Sequence, residues 1–149
     1  QARVVVRDEF LGRVGADTTR FVVPAPSGLG ISTPILTVRT WRPRQGVPQP
    51  VLVARREFEA AGPLYCYFEV FGAGRGPVQT TVELRRRGGE VVRQDMRRPI
   101  APTLDGRLVR FLNFPLDGLA PGDYEVRIQV ENGTLADKQE RLEPLRITS

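Results

Sequence analysis

The sequence predicts an all-β fold, an antiparallel β-sandwich with an additional N-terminal β-hairpin. Three observations predict it. The segment LAPGDYEVRIQV alternates without error: Tyr124, Val126, Ile128 and Val130 fall on one side, and Glu125, Arg127, Gln129 and Glu131 on the other. That period of two marks a strand with one buried and one wet face. Turn residues are abundant, with 15 Gly and 13 Pro in 149 residues, and they fall between β-branched runs. No stretch carries helical periodicity with caps; DEFLGRV is too short and holds a glycine, so any helix is a single turn. The length suits one domain with an extra element, and a hydrophobic content of 40% is enough for a core.

Taken in order, RVVVR (Arg3 to Arg7) and TTRFVV (Thr18 to Val23) are the first strands, separated by a polar turn with Gly12 and Gly15. PAPSGLG follows as a loop. TPILTVRTW (Thr33 to Trp41) is the next strand, and the prolines of RPRQGVPQP make a loop after it. VLVARREF (Val51 to Phe58) reads as a strand. LYCYFEVF (Leu64 to Phe71) is apolar on both faces apart from Glu69, as expected of a central strand covered on both sides. GAGRGP turns into VQTTVELRR, which puts Val78, Thr80, Val82 and Leu84 on one face. Gly88-Gly89 suits a tight hairpin into EVVRQ, since both residues tolerate positive φ. DMRRPIAPTLDG reads as loop and LVRFLNFPL as strand. Asn132-Gly133 is a second hairpin signal. In the last strand, RLEPLRI, the apolar phase changes between Leu142 and Leu145, and Pro144 predicts a bulge or an edge.

The two ends of the chain echo each other. VGADTTRF (Val14 to Phe21) and LADKQERL (Leu135 to Leu142) each follow a β-branched strand and a polar turn and reach an Arg-apolar pair. Self-similarity of this kind points to tandem modules. The division expected is residues 1–24 as an N-terminal hairpin, either the end of an upstream module or a partner-binding arm. Residues 25–33 follow as linker and 34–149 as the sandwich.

FPLDGLAPGDYEVRIQV (Phe114 to Val130), with its turn and RLEPLRI, resembles the closing strands of bacterial immunoglobulin-like and fibronectin type III-like sandwiches. It is similar, more narrowly, to the β-sandwich regions of envelope proteins that carry von Willebrand A-related or GWxTD domains. LYCYFEVFGAG and VELRRRGGEVV are similar to that group too. The resemblance covers about Leu64 to Ile147 and implies an immunoglobulin-like fold and an envelope or periplasmic setting. Neither the von Willebrand domain nor a GWxTD string is present, so no activity is carried over. Tyr124, just inside its strand after a turn, is either plain core or a tyrosine corner tied back to a nearby backbone group.

Chemistry is conspicuous by what is missing. Histidine is absent, which removes Ser-His and Cys-His pairs and imidazole metal sites. The serines are Ser27, Ser32 and Ser149, in loops or the tail. Cys66, alone in the chain, forms no intrachain disulfide and alternates with Leu64, Phe68 and Val70 as a small buried hydrophobe. Asp105, Asp117 and Asp123 lie at turns, where aspartate bonds its own backbone. The expectation is therefore no enzyme, no metal, no cofactor and no small-molecule substrate. No apolar run is long enough to span a membrane as a helix.

Net charge is +5, and Lys138 is the one lysine among 22 basic residues, a ratio that GC-rich codon usage produces by itself. Arg85, Arg86 and Arg87 lead into the Gly88-Gly89 turn, and Arg93, Arg97 and Arg98 follow it. Converging at one end of the sheet they would form a basic patch for phosphates, headgroups or carboxylates; the plainer reading is a solvated hairpin tip. Without interleaved aromatics, nucleic acid is not expected. Trp41, beside Arg39, Arg42 and Arg44, is either a rim residue over the core or an interface anchor. The expected function is a non-catalytic structural or protein-interaction module whose partner is another protein, within a membrane-associated assembly in one version. The alternative is an accessory subunit docked through its arginines onto a membrane complex or an anionic surface.

Overall fold

A computed structural model describes residues 1–22, 28–44, 48–74, 76–133 and 137–149. These form an all-β structure. The first hairpin pairs β1 (Ala2–Arg7) with β2 (Val14–Thr19). Four short strands follow: β3 (Gly30–Ile31), β4 (Ile35–Thr37), β5 (Thr40–Trp41) and β6 (Gln49–Pro50). The body of the sandwich comes from β7 (Glu57–Glu59), β8 (Pro63–Phe71), β9 (Val78–Arg86), β10 (Val91–Ile100), β11 (Leu108–Pro115), β12 (Gly122–Asn132) and β13 (Asp137–Thr148).

One sheet runs β10-β9-β12-β13-β7 and the other β11-β8-β3, with β4 also pairing with β8. Their inner faces make the core. From β8 come Leu64, Cys66, Phe68 and Val70; from β9, Val78, Val82 and Leu84; from β12, Tyr124, Val126, Ile128 and Val130. The alternation read from the sequence is what fills this interior, because alternate side chains of every long strand point inward. Asp95 on β10 and Arg110 on β11 form a half-buried ion pair between edge strands of the two sheets.

Tyr124 forms the tyrosine corner: its buried hydroxyl donates to the Ala120 carbonyl at 2.7 Å. Gly72 is the position where backbone freedom is needed. It sits at φ 69°, and a Cβ there would overlap the Gly28 carbonyl.

Several expected strands are redrawn. The second strand begins at Val14 rather than Thr18. Pairing with β1, which sets Val14 opposite Arg7, overrides the weak strand preference of VGADTT. The expected Thr33–Trp41 strand breaks at Val38, where the Thr37 hydroxyl accepts from Arg39 N and turns the chain off β8 into the β5–β6 ribbon. Of Val51–Phe58 only Glu57 and Phe58 belong to a strand, β7, parallel to the end of β13. DMRRPI is not loop: β10 continues through it to Ile100. Register shifts between Val91 and Arg93 and between Asp95 and Arg98 mark irregularities, and an edge strand tolerates Pro99. In the Gly88-Gly89 turn only Gly88 takes positive φ.

Around Pro144 there is no bulge. It keeps register opposite Glu125, on a stretch of β13 that β7 does not reach, so the edge reading holds. Leu142 simply faces outward while Leu145 and Ile147 face in. The expected linker start, the end of TTRFVV, and Leu135 and Ala136 of the echo lie outside the described residues.

Candidate functional site

The arginines do not gather. Register places Val91 opposite Arg85 and Arg98 opposite Thr80. Arg85–Arg87 and Arg97–Arg98 therefore stand at opposite ends of the hairpin, about 17 Å apart at strand rise. Most have partners. Arg85 lies 3.8 Å from Glu125 and donates to the Gly89 carbonyl at 3.1 Å. Arg86 stacks over the Tyr124 ring at 5.7 Å. Arg97 pairs with Glu131 at 2.9 Å and Arg98 with Asp95 at 3.7 Å. Arg93 donates to the carbonyls of Val92 and Asp117.

Arg87 borders a cavity of about 260 Å³, which it shares with Arg56 and Arg146, and Arg97 borders a smaller one of about 190 Å³ with Glu131, Asp137 and Lys138. Arg56 and Arg146 were missed from sequence because they come from distant segments. Glu57 and Asp123 line the larger of the two cavities, and Arg56 is already tied to Glu143 at 3.0 Å. The result is a mixed-charge surface rather than a basic patch.

Trp41 is placed on the ribbon that β5 and β6 make beside the smaller sheet, opposite Gln49. It is 60% exposed, which excludes a role as core cover. Opposed residues of a ribbon project to the same side, and Gln49, the residue opposite Trp41, lines another cavity, of about 330 Å³. The floor of this cavity is the outer face of β8 and β11: Tyr67, Val109 and Phe111. Phe111 stacks on Tyr65 at 5.6 Å and meets the Tyr67 ring edge-on at 6.4 Å. Pro48 and Gln49 flank it, and Thr103 and Arg107 complete the lining.

A hydrogen-bonded network stiffens one wall. The Tyr67 hydroxyl donates to Glu69 at 2.6 Å, Arg107 Nη1 donates to the same carboxylate at 3.1 Å, and Arg107 Nε donates to Asp105 at 2.7 Å. The Thr103 hydroxyl donates to Asp105 and accepts from Arg107 N. Partial burial, then the bond to Glu69, raise the Tyr67 phenol above its ordinary value. The Thr103 hydroxyl and then Arg107 hold Asp105 below the usual carboxylate range.

The N-terminal hairpin presents a third surface. Every residue of β1 and β2 is exposed, Val4, Val5, Val6 and Val14 among them. Its turn is nonetheless defined. Asp8 Oδ1 accepts from Phe10 N at 2.9 Å and Leu11 N at 3.0 Å, and Asp8 N donates to the Arg13 carbonyl at 2.8 Å. Phe10 and Leu11 are thereby held at an exposed tip.

Cys66 is fully buried, and burial pushes its thiol up to about 12, so no thiolate nucleophile is at hand near neutrality. Among the described residues no cluster of His, Cys, Asp and Glu is arranged to hold a metal ion, and no helix is long and apolar enough to cross a membrane.

No family model and no curated protein sequence matches the chain. Among solved structures it is similar to the PmoD soluble domain from Methylocystis sp. ATCC 49242 (Rockwell), with 11% identity and a TM-score of 0.39, over 80% of this chain and 90% of that one.

Proposed function

We propose that the chain is a non-catalytic, immunoglobulin-like structural and interaction module of the bacterial cell envelope, which engages another β-rich protein surface through its N-terminal hairpin. The observation that carries this reading is the hairpin's complete exposure. Two strands with no side chain buried between them and a core are marginal in water. Here they also display valines on both faces and an apolar tip. Exposed apolar surface of this kind marks a contact, and among the described residues neither outer strand edge is paired. The lack of histidine and the protonated, buried Cys66 support a non-catalytic role. The resemblance of the Phe114–Val130 segment supports the envelope setting. An arginine-docked accessory subunit has less support, because Arg85, Arg97 and Arg98 already face carboxylates of the sandwich.

A benzophenone amino acid placed at Phe10, with Arg55 as an exposed control, tests the reading by photo-crosslinking in cells. A discrete protein adduct from position 10 and none from position 55 is expected. Equal, diffuse labelling from both positions would overturn the assignment of the hairpin.

A further inference from the structure

We infer that the aromatic cavity between the β5–β6 ribbon and the outer face of β8 and β11 is a binding site for a neutral oligosaccharide. This goes beyond the protein contact proposed for the hairpin and does not rest on it.

The first argument is the mix of surfaces. Pro48, Val109, Phe111 and the Tyr67 ring give an apolar, largely aromatic floor, while Gln49, Thr103 and Arg107 supply donors and acceptors around it. Concave sites with a mainly apolar lining and a few fixed polar groups are the usual form of a small-ligand pocket, and about 330 Å³ lies at the small end of their range. A sugar ring matches such a lining, having an apolar C–H face for aromatic contact and hydroxyls at its edges that both donate and accept. A polyproline segment would use the rings but bring only carbonyl acceptors, leaving the acceptor side of the lining idle.

Charge decides the ligand's charge. Arg107 is the ionised group lining the cavity, and among the described residues no carboxylate lines it to hold a cation such as a quaternary ammonium. The charge of Arg107 is offset by Asp105 and Glu69, leaving little attraction for a phosphate or sulfate. Its Nη2 has no hydrogen-bond partner among the described residues, since Nε and Nη1 carry the bonds to Asp105 and Glu69. A neutral hydroxyl or ring oxygen satisfies that donor without a charge mismatch.

The second argument is extension. Arg107 also lines a neighbouring cavity of about 340 Å³, together with Glu69 and Phe71. Tyr65, Tyr67, Glu69 and Phe71 share the outer face of β8. Phe71 lies over Gly30, the one side chain size that leaves room for the ring. Tyr67 to Phe71 spans about 13 Å at strand rise, longer than a single sugar ring. Two cavities joined at Arg107 along an aromatic strand therefore suit a chain of sugars rather than a monosaccharide.

Trp41 is the only tryptophan and pairs opposite Gln49, which lines the cavity, so its emission is a nearby reporter beside the binding heat. The test titrates the full chain with cellohexaose and chitohexaose, reading Trp41 emission and binding heat, with glucose, choline, inorganic phosphate and a polyproline peptide as rivals. At least one hexasaccharide is expected to saturate, with glucose weaker. Phe111→Ala should weaken binding by about two- to tenfold, the scale of one lost aromatic contact. Because Phe111 also packs on Tyr65, Gln49→Ala on the exposed ribbon serves as a second variant that leaves the core untouched, and it too should weaken binding. The inference falls if neither hexasaccharide binds at millimolar concentration, if both variants bind as well as the parent, or if choline, phosphate or polyproline binds and the sugars do not.

Discussion

At the scale of single residues, position in the strand period decides chemistry. Cys66 and Tyr67 are neighbours in sequence, yet one faces the core and the other the aromatic cavity. For Cys66 the consequence is a pH-dependent stability. Its thiol titrates near 9.0 when unfolded and about 12 in the fold, with burial as the main cause and the Glu143 charge adding to it. Below the unfolded value both states hold the proton and the group adds no slope. Above it the unfolded chain loses the proton while the folded one keeps it, so stability falls as pH rises across this window, by up to roughly 1.4 kcal/mol per pH unit. Urea denaturation at a series of pH values from neutral to strongly alkaline should show this limb in the parent. In Cys66→Ala it should be shallower, the remainder coming from other groups such as Tyr67, whose phenol is raised as well. Identical limbs in the two proteins would show that the thiol is not the source.

At the scale of elements, the first hairpin and the sandwich contribute very differently to stability. Strands β1 and β2 bury no side chain against the rest of the chain. Deleting residues 1–22 should therefore leave the thermal midpoint of the sandwich within a degree or two, since a change of 1 kcal/mol moves such a domain by only about 2–8 °C. Hydrogen exchange in the parent should show the β1–β2 amides exchanging far faster than those of β12. A large drop in midpoint on deletion would mean that the hairpin packs on the sandwich. The same contrast explains how much of the fold could be read in advance. Val78–Arg86 and Tyr124–Val130 carry their buried face in their own alternation, and the structure uses it unchanged. The second half of β10, Asp95–Ile100, was hidden because a register irregularity breaks its period and Pro99 argues against any strand, though an edge position permits both. The aromatic cavity was hidden for another reason. Tyr65 and Tyr67 read as the second buried face of a central strand, but their neighbours Phe111, Gln49 and Arg107 arrive from segments far away in sequence. No local pattern announces that meeting, and a central strand with a half-covered aromatic face looks the same in sequence as one fully covered.

At the scale of the whole molecule, the net charge of +5 is spread rather than focused. Arg127 bridges Glu83 at 3.4 Å and Glu140 at 2.6 Å across the outer face of the larger sheet, and Lys138 and Arg97 share Glu131. The wet face of β12 is thus an ion-pair ladder, with Glu140 held below the usual carboxylate range chiefly by the Arg127 hydrogen bond. Focusing requires like charges within a screening length of one another. The two arginine groups of the β9–β10 hairpin stand about 17 Å apart, roughly twice the 8 Å Debye length at physiological ionic strength. Their potentials do not add at that distance, and the carboxylates between them cancel part of what remains. The chain should accordingly elute from immobilised heparin below about 0.15 M salt, and it should not sediment with vesicles rich in anionic lipid at that ionic strength. Replacing Glu131 with Gln should raise the heparin elution point, because it frees Arg97 and Lys138 together. Strong retention of the parent protein at physiological salt, unaffected by Glu131→Gln, would instead restore the arginines as a docking surface and displace the hairpin as the principal contact.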